Sequence, residues 1–102
     1  MTFLRLFIVS ARDAIAQYEI EQDLCELKQH VAVEAGCEAA LVLSQDDGLA
    51  VAFISLWDTR EDARRFDASG LNRLYTTVIE LHIAGDAVVK LFRVLEASGH
   101  VH

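Results

Sequence analysis

Five side chains in this sequence combine a type and a position that could do chemistry: Arg5, Trp57, Asn72, Tyr75 and His82. His82 and Tyr75 are seven residues apart, among Leu71, Leu74, Val78 and Ile79 at spacings of three and four, so a helix here puts them on one face. An imidazole, with a reference pKa of about 6.5, could take a proton from a weakly acidic hydroxyl. A tyrosine could donate a hydrogen bond to a carbonyl. At 1.5 Å rise per residue the two would sit roughly 10 Å apart along the axis. They would reach opposite ends of one ligand, never a single atom. The plainer readings are a histidine stabilised by a helix end and a tyrosine filling an amphipathic core. Trp57 could stack on a planar ligand or simply pack. Arg5 and Lys90 are charges inside apolar runs, so each is paired, exposed at a strand edge, or facing an anionic ligand. Asn72, beside the break Ala68-Ser69-Gly70, could be a pocket donor or a surface residue. Cys25, Cys37 and the His100-x-His102 pair make no metal pattern. No Ser-His-Asp order, phosphate loop or nucleotide fingerprint is present.

The elements that must position these groups follow from the patterning. Residues 36–57 read as a β-hairpin, with the turn signal Asp46-Asp47-Gly48 between two apolar runs. The second run, Leu49 to Trp57, has a single polar residue, so both of its faces should be covered. Phe3 to Val9 reads as a first strand. Ser10 is an expected N-cap for a helix over 11–35, in which Ile20, Leu24, Leu27 and Val31 share a face and Gly36 serves as the stop. Thr59 should cap a second helix, broken near Ser69 into pieces at about 60–68 and 71–83. Residues 86–96 form a fourth strand.

The 102-residue chain is 53% hydrophobic with a net charge of −7 and a pI near 4.9. That balance disfavours nucleic acid and anionic membranes as partners. Apolar runs of about nine residues fall far short of the roughly 20 that span a bilayer, and the N-terminal residues do not make a signal peptide. A cytoplasmic protein is expected. Residues 1–96 read as one domain and 97–102 as a mobile tail.

The order β-α-β-β-α-β predicts an α+β, ferredoxin-like fold: a four-stranded antiparallel sheet, ordered 4-1-3-2, with two helices on one face. The bare face would then be a large apolar patch, which a homodimer could bury sheet to sheet. Phe7 or Phe53 is expected to point into that interface.

Glu34-Ala35-Gly36-Cys37, the hairpin closed by Trp57, the acidic start Thr59-Arg60-Glu61-Asp62-Ala63 and the final strand ending Phe92-Arg93-Val94-Leu95-Glu96 resemble the antibiotic biosynthesis monooxygenase-like (ABM) family. The resemblance spans about residues 2–96. It implies a dimeric α/β barrel, a pocket between sheet and helices, and a cofactor-independent monooxygenase of a small aromatic, polyketide or quinol-type substrate. In that reading His82 and Tyr75 are catalytic, Trp57, Arg5 and Asn72 bind substrate, and neither metal nor cofactor is needed. A non-catalytic small-molecule-binding or regulatory module is the alternative. The haem-degrading branch uses an Asn on the first strand and a His about ten residues past the Trp. Here the first strand has no Asn and the later position is Asp67, which disfavours haem degradation.

Overall fold

A computed structural model describes residues 1–97. Seven elements follow in order: β1 (Phe3–Ser10), α1 (Ala14–Val31), β2 (Cys37–Ser44), β3 (Ala50–Trp57), α2 (Arg60–Asp67), α3 (Gly70–Glu80) and β4 (Val88–Arg93). The strands form one antiparallel sheet in the order β2-β3-β1-β4, as the sequence predicts. The expected tail lies outside the described residues except for Ala97, and so do His100 and His102.

The helices begin where short polar side chains can satisfy free amides. Asp13 accepts from Ala16 N at 2.7 Å, Thr59 from Asp62 N at 3.1 Å and Ser69 from Asn72 N at 3.1 Å. Asp13 therefore takes the capping role expected of Ser10. Ser10 stays in β1, where its carbonyl accepts from Ala84 N. The first helix stops at Val31, not at Gly36, because the buried stripe Ile20, Leu24, Leu27, Val31 ends there and Val33 points to solvent. Gly36 has a different task. At φ +84° it leads into β2, and a Cβ there would collide with Asp62 of α2. The second helical region breaks where predicted, at Ala68 to Gly70, with Ser69 capping the new start.

Register decides which strand residues meet the helices. Phe3, Arg5, Phe7 and Val9 of β1 stand opposite Trp57, Ser55, Phe53 and Val51 of β3, and all eight are buried. Phe7, Val9, Val51, Phe53 and Trp57 pack with Ile20, Leu24 and Leu27 of α1, Ala63 and Phe66 of α2, and Tyr75 and Ile79 of α3. Phe7 and Phe53 thus face the core, and neither points to the bare side as expected. The bare side carries Leu4, Leu6 and Ile8, then Ala52, Ile54 and Leu56, then Ala39, Leu41 and Leu43, then Val88 and Phe92. Lys90, opposite Leu6, is the charged side chain among these paired positions.

Candidate binding site

Arg5 is only 3% exposed although it is charged. A guanidinium taken out of water is costly unless its donors are met. Asp67, at the end of α2, meets two of them: its Oδ1 accepts from Arg5 Nε at 3.1 Å and from Nη2 at 2.8 Å. The Oδ1 of Asn72 stands 3.5 Å from Nη2, and the guanidinium lies 5.0 Å from the centre of the Phe66 ring. Asn72 is itself fixed, donating from Nδ2 to Asp67 O at 3.0 Å. Arg5 Nη1 has no hydrogen-bond acceptor among the described residues.

Arg5 separates two spaces of very different size. Outside it, between α2 and the sheet edge, is a cavity of about 260 Å³. Its polar side is Arg5, Asp67 and Arg64, and its other side is Ala63 and the β4 edge from Val89 to Leu91, where Lys90 turns its side chain to the opposite face of the sheet. Inside it, under Tyr75, Phe7, Phe53 and Ile79, is a void of about 10 Å³, enough for one water at most. The expected joint cavity is divided: the α3 stripe meets this small void through Tyr75 and Ile79, while Trp57 borders a separate cleft of about 170 Å³ with Asp62, Arg65 and Ser69. Of that stripe Tyr75 and Ile79 turn inward, while Leu74 and Val78 are exposed.

The five sequence-predicted residues are not brought together. Arg5 and Asn72 meet. Trp57, 1% exposed, stacks on Phe66 with centroids 5.5 Å apart and donates from Nε1 to Ser55 Oγ at 2.9 Å. It is packing for the helix–sheet seam and does not line the Arg5 cavity. Tyr75 lines the inner void, but its hydroxyl donates to Glu26 of α1 at 2.8 Å. His82 is not on the inward face of a helix, because α3 ends at Glu80. There the chain turns to join β1, with Ile83 bridging Ala11 and His82 O accepting from Arg12 N. His82 lines neither space beside Arg5. Sequence reasoning missed Asp67 as the partner of Arg5, and missed Arg64. The parity of Arg5 with Phe3 and Phe7 was the available signal that it turns inward.

Burial first, and then the bond to Glu26, raise the pKa of Tyr75 above its ordinary value. The folded state thus holds this proton more tightly than the unfolded chain does. The resulting stability is complete below about pH 10 and is lost as pH rises toward the folded pKa. Urea unfolding between pH 9 and 11.5 is expected to show that decline, and Tyr75→Phe to flatten it. An unchanged slope in Tyr75→Phe would exclude the tyrosine as its source.

Among the described residues no three His, Cys, Asp or Glu side chains group as a metal site, and no helix is long and apolar enough to cross a membrane. No family model matches the chain, and no curated protein matches it by sequence. Its likeness is to solved structures. Rv0793 from Mycobacterium tuberculosis superposes with a TM-score of 0.84 at 13% identity, over 97% of this chain and all of that one. A candidate antibiotic biosynthesis monooxygenase from Deinococcus radiodurans gives 0.83 at 16%, over the whole of both chains. SnoaB from Streptomyces nogalater, a cofactor-independent oxygenase, gives 0.78 at 15%, over 94% of this chain and 95% of that one. Identities of this size speak for the fold alone. The ferredoxin-like α+β fold found in antibiotic biosynthesis monooxygenase proteins, expected from the sequence, is the fold of this chain.

Proposed function

We propose that the protein binds a small phenolic or quinol-type molecule in the Arg5 cavity and oxygenates it without a cofactor. The observation that carries this reading is the pairing of Arg5 and Asp67 on one side of a cavity whose other side is largely apolar, with Asn72 behind Arg5 on the side of the inner void. A guanidinium held in place, with Nη1 free, lowers the pKa of a hydroxyl placed against it by opposing the charge that develops on oxygen. Asp67, whose side chain is 56% exposed, takes the proton and passes it to water. The ring carbon para to the phenolate then forms a bond to dioxygen. The O–O bond breaks with loss of water, the carbon gives up its hydrogen as a proton, and a quinone carbonyl remains. One phenol and one dioxygen become one quinone and one water. All the electrons come from the substrate, so no outside reductant is used. The oxygenase name of SnoaB, on the same fold, supports the class of reaction by analogy. His82 and Tyr75 take no part in this scheme, since the first lies away from the cavity and the second is tied to Glu26. Two copies joined through the bare sheet face complete the proposal.

The test is turnover of 1-naphthol under ¹⁸O₂. One labelled oxygen per 1,4-naphthoquinone is expected, and Arg5→Gln should slow the reaction on the order of 10²–10³-fold, the usual effect of removing a charge-stabilising donor. Asp67→Asn, which keeps a hydrogen-bond acceptor beside Arg5, checks the same site if Arg5→Gln fails to fold. No oxygen uptake by the wild type removes the oxygenase reading. Binding of 1-naphthol without uptake selects the second reading, a non-catalytic binding module, which the lack of an imidazole beside the cavity among the described residues favours.

A further inference from the structure

The Arg5 cavity does not end at Arg64 and Leu91. Both residues also line a second cavity of about 270 Å³, bounded by Phe3, Arg60, Phe92 and Arg93. Together the two form one groove between α2 and β4. Four of the chain's nine Lys and Arg residues line it with side chains on the helix side, namely Arg5, Arg60, Arg64 and Arg93, against a single acid, Asp67. The protein around it has a net charge of −7.

We infer that this groove selects phenolic ligands carrying an anionic tail, with the ring oxygen at Arg5 and the tail among Arg60, Arg64 and Arg93. The inference rests on the Arg5 cavity being the ring site.

The three tail arginines have no carboxylate partner among the described residues. The ion pairs there are Arg5 with Asp67 and Arg65 with Asp62. Their arrangement is unfavourable by itself. Arg60 and Arg64 are four residues apart on one helix, where like charges repel. Arg60 is also in the first turn of α2, at the positive end of the helix dipole. Its guanidinium nonetheless lies over the Phe3 ring, 5.5 Å from its centre. Arg93 stands opposite Phe3 in the sheet, on the same side. An anion at this point relieves every one of these repulsions. Spacing sets the length of the ligand. Phe3 and Arg5 are two residues apart on one strand, roughly 7 Å, which is about one aromatic ring plus a short linker. The concave shape and the overall negative charge favour a small molecule over a polyanion, which the rest of the surface repels.

The experiment compares 3-(4-hydroxyphenyl)propionate with 4-propylphenol, two ligands that differ only in the charged end of the tail. Calorimetric titration of the whole protein at pH 7 and low salt is expected to show the acid binding about tenfold tighter or better, the order for charge-assisted hydrogen bonds. In Arg60→Gln/Arg93→Gln, which changes two exposed side chains outside the Arg5 cavity, that preference should fall below about threefold while 4-propylphenol binds as before. Equal binding of the two ligands by the wild type overturns the inference and leaves the ring site standing. A preference that survives in full in the double variant also overturns it, since the tail then sits elsewhere. If neither ligand binds, the ring site falls too, and the oxygenase reading with it.

Discussion

Ile54→Asp is expected to turn a homodimer into a folded monomer, whereas Phe53→Asp, one residue away, should destroy the fold. The contrast follows from the pleat. Phe53 pairs with Phe7 and Val42 on the helix side, while Ile54 lies between Leu6 and Leu41 near the middle of the bare face. That face is apolar at its paired positions apart from Ser10 at the end of β1 and Lys90 on the edge strand β4, where a long stem can carry the ammonium out to water. A monomer seldom leaves so large a patch uncovered. Two copies related by a two-fold axis would bury it in a self-complementary contact, more than roughly 2,000 Å² if it resembles obligate dimers. In such a contact Ile54→Asp places one unpaired carboxylate per copy out of water, at several kcal/mol each. The dissociation constant should rise on the order of 10⁴-fold or more. Sedimentation and circular dichroism on both variants read the two outcomes separately. A wild-type chain that sediments as an 11.3 kDa monomer at micromolar concentration would end the proposal.

Trp57→Ala should cost about 3–5 kcal/mol of stability, the usual range for emptying a large aromatic site in a core. For a domain of this size that is a large share of a total near 5–15 kcal/mol. The indole is buried, stacked on Phe66, and bonded to the fully buried Ser55, so its removal opens a cavity and strips a hydroxyl of its donor. Trp57→Phe keeps most of the packing and loses only that bond, at about 1–3 kcal/mol for the unsatisfied partner. Urea denaturation gives both values. Should Trp57→Ala unfold within about 1 kcal/mol of wild type and fail only in ligand binding, the ring is a ligand contact, as the sequence suggested.

The chain's periodicity was enough for the order of elements, the 4-1-3-2 sheet, the hairpin turn near Gly48 and the helix break at Ser69. Each depends on residues close in sequence, or on topology rules that few arrangements satisfy. The sheet's two faces were another matter. Residues Phe3 to Val9 and Leu49 to Trp57 are apolar on both sides, so alternation gave no sign of which side the helices would cover. The fold settled it through register, turning Phe7 and Phe53 inward and leaving Leu6 and Ile54 bare. His82 followed the same logic. A helical stripe runs through it in the sequence, but the bridge of Ile83 to Ala11 pulls the chain away after Glu80. Arg5 shows the limit most plainly. Its odd position among apolar residues marked it as a charge needing an answer, but the answer, Asp67, lies 62 residues away. Nothing local links the two. Only the packing of α2 across the helix side of β1 brings carboxylate and guanidinium together, because a buried charge is tolerated where the fold can deliver its partner.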